Sequence, residues 1–502
     1  MKQQITATVN GKPKLAVCGI TISELINGEK PCGGHGKCGK CKVIARGELS
    51  EVTDAEKKHL TANELASGFR LACLTYALGD CEIETLIERT DTQIVTDGAL
   101  PKLELNPSFS QYGVAIDIGT TTLAARLYDS KGNLLSESSC LNPQQAWGAD
   151  VISRIEAALG GKAKDLAKSI RKALDEMLCE LAEKANIELQ AIDGVVITGN
   201  TVMLSLLTEE SVESFSHAPF DAKRLFGETL TAGALELTSL NFDTAVYLPP
   251  CISAFVGADT TCAILATELT KKTEPAMLAD IGTNGEMALW NNETLTVCST
   301  AAGPAFEGVG ISMGMRGAVG AIDKVTVKDG SLHAHVIGEI EPKGICGSGL
   351  VDAVACMLDQ EILDESGFLE DEPFTVQDPV TLTQKDIRML QLAKSAICAG
   401  LMTLIQNEKL QPSDIKTLYI AGGFGNYLNM QSAAKIGLLP FELSKTANAV
   451  GNAALAGASM FLLNTNIQKE SEKLIKRAAI LDLSTNSIFS DLYMSGMMLD
   501  EI

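Results

Sequence analysis

The chain of 502 residues carries a net charge of −22, is 46% hydrophobic and 21% charged, and contains only 5% aromatic residues. These values are typical of a globular protein with two to four domains. The acidic balance disfavours nucleic acid and anionic membranes as partners, because both are negatively charged. No signal peptide is apparent, and no uninterrupted apolar run approaches the ~18 residues of a membrane span, so we expect a cytoplasmic protein.

The first 88 residues predict a compact β-grasp unit. ITATVNG and KPKLAVC form a hairpin about Asn10-Gly11, a dipeptide that favours tight turns. Thr21 and Glu24 have the spacing of a capping box that opens a short helix. KCKVIARGEL, FRLACLTYAL and DCEIETL supply the remaining strands.

Four of the 14 cysteines form a pattern. The stretch CGGHGKCGKC holds Cys32, Cys38 and Cys41, and Cys73 follows 32 residues after the third. Zinc sites usually use two separated pairs of ligands, whereas three ligands on one loop and a fourth elsewhere favour a [2Fe–2S] cluster. A zinc site and a loop without metal are the alternatives. The stretch resembles the ferredoxins whose cysteine spacing is C-x5-C-x2-C, as in the adrenodoxin-like members.

Residues 89–110 have mixed polarity and no period, which indicates a linker. The next segment, YGVAIDIGTTTLAARLYD, predicts a strand, a tight turn and a return strand. PAMLADIGTNGEMALWNN repeats this element 163 residues later. Two copies of the DIGT turn, each after an apolar strand, indicate an internal duplication.

The composition of the two turns predicts a nucleotide site. Glycines let backbone N–H groups approach phosphate, and threonine hydroxyls can donate to phosphate oxygens. Asp117 and Asp280 are placed to hold Mg²⁺, directly or through water. The candidate nucleotide-binding residues in the two hairpins are Asp117, Gly119, Thr120, Thr121, Thr122, Asp280, Gly282, Thr283, Asn284 and Gly285.

Further glycine-rich turns complete this predicted site. Gly422, Gly423 and Gly425 follow the strand TLYIA and are expected to admit an adenosine. GICGSGLVDAVACML places a glycine turn before a helix whose dipole can face phosphate. AVGNAALAGASMFLL predicts a small-residue helix that packs closely on a neighbour. The chain contains no Walker motif, so ATP would be held in a different way.

The set DIGTTT, DIGTNGE, AGGFGN and GNAALAGA resembles the ASKHA superfamily of kinases, chaperones and actin. Together with the ferredoxin-like unit, it resembles the reductive activators of corrinoid proteins. The resemblance implies an actin-like, ribonuclease-H-like ATPase over 111–502, with lobe one at about 111–275 and lobe two at about 276–502. The fold class is therefore multidomain, α/β and α+β. Known members also carry a small domain between linker and ATPase, which this sequence lacks.

The family resemblance further implies a [2Fe–2S] cluster, ATP and Mg²⁺ as cofactors. The partners implied are a low-potential electron donor and a corrinoid protein of a methyltransferase system, and a homodimer is one possible arrangement. The reaction implied is ATP-dependent reduction of Co(II) to Co(I). An ASKHA small-molecule kinase, or an activator of another metalloenzyme, is the alternative. Glu286 follows the second hairpin and is the candidate for orienting a catalytic water, or else a salt-bridged strand residue.

Overall fold

A computed structural model describes residues 4–26, 34, 36, 39, 41–85, 98 and 100–501. Its N-terminal unit is a six-stranded mixed sheet in which β6 lies between β1 and β4. The elements are β1 (Gln4–Val9), β2 (Lys12–Val17), β3 (Ile20–Thr21), α1 (Ile22–Leu25), β4 (Lys42–Leu49), α2 (Asp54–His59), α3 (Ala62–Ala66), β5 (Phe69–Leu71) and β6 (Tyr76–Thr85). Residues of β6 alternate between buried and exposed, because one face of the strand covers the core.

A buried ion pair fixes the segment that follows β5. The Arg70 guanidinium lies 2.9 Å from the fully buried carboxylate of Glu56, which also accepts hydrogen bonds from Leu71 N and Thr75 Oγ1. Burial alone raises the pKa of Glu56, but the hydrogen bonds from Arg70 and two backbone amides lower it below its usual value. The segment 70–75, which carries Cys73, is therefore held against α2.

The predicted duplication is present in the fold. Lobe one has the strand order β11-β12-β10-β7-β8-β9, and lobe two has β22-β21-β13-β14-β15-β23. In each lobe three antiparallel strands are followed by two strands added in parallel beside the first. The elements of lobe one are β7 (Tyr112–Ile118), β8 (Thr122–Asp129), β9 (Leu134–Leu141), α4 (Val151–Ala157), α5 (Ala163–Ala185), β10 (Ile192–Gly199), α6 (Thr201–Leu207), β11 (Glu228–Thr231), β12 (Ala245–Leu248) and α7 (Ala258–Ala266).

Lobe two adds a three-stranded sheet, a two-stranded sheet and more helices to the shared pattern. Its elements are β13 (Ala276–Ile281), β14 (Gly285–Asn291), β15 (Thr294–Thr300), β16 (Ala321–Lys328), β17 (Ser331–Val336), β18 (Gly344–Ile345), α8 (Gly347–Asp359), β19 (Phe374–Gln377), β20 (Val380–Leu382), α9 (Gln384–Asn407), β21 (Thr417–Ala421), α10 (Met430–Lys435), α11 (Phe441–Thr446), β22 (Ala447–Gly451), α12 (Ala453–Leu463), α13 (Asn466–Arg477), β23 (Ala478–Ile480) and α14 (Ser487–Ser495). Helix α9 has the length and apolarity of a membrane span, but 78% of its most apolar stretch is buried in the protein, as in a core helix.

Helices α7 and α12 pack together between the two lobes. Both belong to one apolar cluster that includes residues of β7, β8, β13 and β14. A Cβ at Gly457 of α12 would overlap the carbonyl group of Cys262 in α7. The predicted close packing of the small-residue helix therefore occurs at the junction of the lobes.

The second half of the predicted linker lies along α12. Gly98 contacts Asn452 at the start of that helix, and Arg126 Nη1 donates to the Gly98 carbonyl at 3.1 Å. Asn106 N and Ser108 N donate to the carbonyls of the last α12 residues, at 2.9 Å each. We call residues 98 and 100–109 the strap.

Candidate functional site

Side chains of lobe one hold the backbone of the first turn (119–121). Asn142 Nδ2 donates to the Gly119 carbonyl at 2.8 Å, and Gln145 Nε2 donates to the Thr121 carbonyl at 2.7 Å. The buried Arg154 donates to the remaining carbonyl of the turn. All three carbonyls of the turn thus accept hydrogen bonds from side chains of lobe one.

The second turn (282–284) is held by backbone hydrogen bonds, one within the turn and one from Gly303. Gly282 N donates to Asn284 O at 3.0 Å, and Gly303 N donates to Thr283 O at 2.9 Å. Gly285 packs against Ile397 of α9, where a Cβ would overlap the isoleucine side chain. The turn is therefore anchored to the core of lobe two.

One carboxylate joins the two turns. Thr121 Oγ1 donates to Glu307 Oε2 at 2.5 Å, and Thr283 Oγ1 donates to Glu307 Oε1 at 2.7 Å. The predicted pairing of the DIGT turns across the lobes is thus present in the structure, with Glu307 between them.

Four further carboxyl groups meet where the lobes join. Asp117 and Asp280 come from the two duplicated strands, Asp259 from the first turn of α7, and Glu286 lies opposite Asp280 in the β13–β14 register. We call these four residues the carboxyl cluster. Each keeps some solvent exposure, although protein atoms replace most of the water around it.

The crowding changes the acidity of the carboxyl cluster. Burial, with repulsion from neighbouring aspartates, raises the pKa of Asp117 and of Asp280 to about 7. Burial raises the pKa of Asp259 to about 6 and that of Glu286 well above its usual value. Such a set of carboxyl groups favours a bound cation, which would stabilise their ionised forms.

Within the described part of the chain, no three His, Cys, Asp or Glu residues are grouped closely enough to form a complete metal cage. Mg²⁺ commonly uses one or two carboxylates and completes its octahedron with water and phosphate oxygens. The carboxyl cluster fits this incomplete kind of site, and the roles of Asp117 and Asp280 as magnesium ligands stay predictions.

Two asparagines support the first hairpin from neighbouring helix ends. Asn452 caps α12 by accepting from Leu455 N at 2.8 Å and donates to Asp117 Oδ2 at 3.0 Å. Asn200 caps α6 in the same manner and donates to Thr120 Oγ1 at 3.1 Å. Each asparagine thus links a helix N-terminus to the candidate site.

The third glycine turn also reaches the carboxyl cluster. Gly422 has φ of +91°, and a Cβ there would lie 2.7 Å from Asp280 Oδ1. Gly423 faces open space, whereas Gly425 packs on Ile420 of its own strand. The position of this turn suits a ligand beside Asp280, and adenosine binding stays a prediction.

The described residues of the N-terminal unit include two of the four predicted cluster cysteines. Cys41 Sγ and Cys73 Sγ lie 3.1 Å apart, although Cys41 precedes β4 and Cys73 follows β5. Two sulfurs at this distance can ligate one metal, since metal–thiolate bonds are about 2.3 Å long. Cys32 and Cys38 lie outside the described residues. The pair that is described fits the predicted iron–sulfur site.

Sequence patterns did not identify several residues of the site: Asn142, Gln145, Arg154, Asn200, Asp259, Glu307 and Asn452. Arg154 lies in VISRIEA and Asp259 in FVGADTTC, outside the glycine-rich turns that predict the site. A charged residue in a stretch rich in apolar or small residues was the available signal. Burial lowers the pKa of Arg154 to about 9, which indicates how fully the protein encloses it.

Both lobes match models of one protein family. Residues 112–272 match the family model described as the RACo middle region, and residues 274–502 match the C-terminal domain of RACo, the ASKHA domain. The middle region thus corresponds to lobe one. The lack of a separate small domain before it stays a prediction.

Two relatives and one solved structure cover most of the chain. The corrinoid activation enzyme RamQ of Eubacterium limosum is 35% identical over 423 residues, 77% of this chain and 70% of that protein. The Co(II) methylated amine-specific corrinoid protein reductase of Methanosarcina barkeri is 26% identical over 415 residues, 76% of each. A structure titled reductive activator for corrinoid,iron-sulfur protein has a TM-score of 0.70 at 28% identity and covers 99% of this chain and 98% of its own.

A further relative resembles one part of the chain alone. A component of the Na(+)-translocating NADH-quinone reductase of Haemophilus influenzae (strain PittGG) is 32% identical over 88 residues, 16% of this chain and 21% of that protein.

The raised pKa values predict a pH-dependent response to Mg²⁺. The pKa of these carboxyl groups is about 6 to 7 in the folded protein and about 4 in the unfolded chain. The free energy of unfolding therefore falls as the pH rises from about 4 to about 7, and the loss is complete above pH 7. Because Mg²⁺ binds the ionised groups, we expect it to raise the melting temperature more at pH 8 than at pH 5.5. Asp280→Asn should reduce this difference, and the exposed Asp221→Asn should not. An equal response to Mg²⁺ at both pH values would contradict the cation site.

Proposed function

Because this chain belongs to the RACo family of reductive activators of corrinoid proteins, we propose that it returns the inactive Co(II) form of a corrinoid protein to Co(I) in an ATP-dependent manner. The observation that carries the proposal is the contact of the strap with Asn452, which donates to Asp117 of the carboxyl cluster, since in the sequence the strap follows the cysteine-bearing unit. The partner would be a corrinoid protein of a methyltransferase system, and a low-potential donor would supply the electron.

The redox part of the proposal rests on the four cysteines. A bound [2Fe–2S] cluster supplies one-electron transfer at about −400 mV or above. Cys41 and Cys73 would hold it from one side, with the Glu56–Arg70 pair keeping the Cys73 segment in place. Cys32 and Cys38 are proposed as the other two ligands.

The nucleotide part rests on the two turns and the carboxyl cluster. Thr121 and Thr283 present hydroxyls from opposite lobes, so a triphosphate between them would contact both lobes together. Asp117 and Asp280 would hold its Mg²⁺. Binding that contacts two lobes at once favours one relative arrangement of them, which is the requirement for a nucleotide-driven switch.

The strap contacts the nucleotide part directly, and in the sequence it follows the cysteine-bearing unit. Asn452 donates to Asp117 through its side chain, and its own carbonyl lies against Gly98. A change at Asp117 on nucleotide binding therefore reaches the strap through one residue. Coupling between sites is typically worth ~1–3 kcal/mol, comparable with the ~2.3 kcal/mol of moving one electron against 100 mV. The cytoplasmic location and a homodimer stay predictions.

The cluster prediction is tested by composition. We expect the purified chain to hold about two irons and two sulfides, as four cysteine ligands of a [2Fe–2S] cluster require. Cys73→Ser should lose most of the iron, whereas replacement of the exposed Cys179 by Ser should keep it. Iron and acid-labile sulfide are measured chemically in both. One zinc and no sulfide would exclude this metal centre.

The reaction is tested optically. The reduced protein is mixed with a Co(II) corrinoid protein, and the Co(I) absorbance is followed with and without Mg-ATP. We expect Co(I) to accumulate only with ATP, and Asp117→Ala or Asp280→Ala to abolish the response because each removes a carboxylate of the cation site. The exposed Asp221→Ala serves as control. Equal Co(I) formation without ATP would refute the ATP requirement, and phosphorylation of a sugar or carboxylic acid would favour a kinase.

The strap is tested by Gly98→Ala. A Cβ there would overlap the Asn452 carbonyl oxygen and lie 3.2 Å from Ala456 Cβ, so the strap must shift off α12. We expect ATP hydrolysis to persist while ATP-dependent Co(I) formation falls at least about fivefold, the lower range of a lost coupling energy. Gly160→Ala is the matched control, because nothing lies within 4 Å of its Cβ position. Unchanged Co(I) formation in Gly98→Ala would show that the strap does not transmit the nucleotide state.

A further inference from the structure

A short segment between two glycines contacts every predicted nucleotide turn. It is the 3₁₀ helix Pro304–Glu307, flanked by Gly303 and Gly308 with φ of +79° and +76°. Its Glu307 accepts hydrogen bonds from the first and second turns. The ring of its Phe306 stacks on Phe424 of the third turn, with ring centroids 4.5 Å apart. Gly347, which opens α8, packs against the Phe306 carbonyl. Glu307 is thus held at a fixed position among all four turns.

The charges around Glu307 differ from those around the carboxyl cluster. Its two oxygens accept hydrogen bonds from two hydroxyl groups. Burial lowers the pKa of the nearby Arg154, and the charge of Glu307 partly offsets that lowering. Glu286, by contrast, is opposite Asp280 in the strand register and is repelled by Asp259 and Asp280. Glu286 therefore belongs with the groups that need a cation, whereas Glu307 is held by hydroxyl donors from both lobes.

The bonds of Glu307 can be exchanged when a nucleotide binds. A threonine hydroxyl has a single proton to donate, so Thr121 and Thr283 can donate to Glu307 or to phosphate, not to both. A γ-phosphate that takes both hydroxyls leaves two carboxylate oxygens of Glu307 beside it without these donors. A water molecule between the phosphorus and Glu307 can then donate to one of those oxygens.

We propose that Glu307 is the catalytic residue that orients and deprotonates the water attacking the γ-phosphate, an inference that rests on the proposed ATP-dependent function. The water oxygen forms a bond to the γ-phosphorus, the bond from that phosphorus to the β–γ bridging oxygen breaks, and the water proton passes to the Glu307 carboxylate. The products are ADP and inorganic phosphate. Glu286 instead helps to hold the cation.

The experiment compares Glu307→Gln, Glu307→Asp and Glu286→Gln in the full chain, with the exposed Glu188→Gln as a charge-matched control. Glutamine keeps the size and an acceptor oxygen for the threonines but cannot take a proton. We measure single-turnover hydrolysis of ATP, the affinity for a non-hydrolysable ATP analogue, and the melting temperature, which reports folding. Loss of a general base typically costs ~10²–10⁴-fold in rate.

We expect Glu307→Gln to hydrolyse ATP at least about 100-fold more slowly, with analogue affinity within about threefold of the unaltered protein, and Glu307→Asp to retain part of the rate. Glu286→Gln should instead raise the Mg²⁺ concentration needed for hydrolysis. Hydrolysis at the unaltered rate in Glu307→Gln overturns the inference but leaves the proposed function standing. Parallel loss of affinity and rate in both Glu307 variants also overturns it, because Glu307 would then only hold the turns together. An unaltered protein that hydrolyses no ATP overturns both proposals.

Discussion

The structure depends on the burial of four carboxyl groups at the junction of the two lobes. Burial raises the pKa of each group, and repulsion from neighbouring acids raises it further for Asp117, Asp280 and Glu286. Such crowding lowers the stability of the protein, and the loss is recovered when a cation or a ligand-bound cation enters. The crowding therefore makes the lobe junction sensitive to whether Mg-nucleotide is present, while the rest of each lobe has an apolar core of its own.

The duplication explains the symmetry of the site and also where that symmetry ends. Asp117 and Asp280 occupy equivalent positions in equivalent strands, but the cross-strand partner of Asp117 is Ala124, whereas that of Asp280 is Glu286. The added acid lies on the side of lobe two. Side-chain donors hold the carbonyls of the first turn, whereas the second turn is closed by backbone bonds. The two lobes thus contribute unequal chemistry to a similar framework.

The local part of the site was predictable, because it repeats a short motif. In this chain each DIGT turn lies between an apolar strand and a return strand, and the two copies together implied the paired lobes. The contacts that join the turns were not predictable, because they link distant residues: Thr121 and Glu307 are 186 positions apart, and Asp117 and Asn452 are 335 apart. The sequence predicts the strap only as a linker, since it binds α12 largely through backbone groups and one glycine, which leave no pattern in the side chains. The N-terminal fold followed from its alternating strands, whereas Cys32 and Cys38 lie outside the described residues.

Gly457 lets α12 lie directly against the backbone of α7 at Cys262. The helix of 11 residues is about 16 Å long, and the contact with α7 lies near its middle, so a tilt of α12 about that point would move its two ends in opposite directions. Its first end bears Asn452 and its last end carries the backbone groups that bind the strap, at a distance of roughly 9 Å from the contact. A rotation of about 10° would move that end by roughly 1.5 Å, about half the length of a hydrogen bond. A larger residue at position 457 would push the two helices apart, so the smallest residue of α12 sets how closely the helices at the lobe junction approach each other.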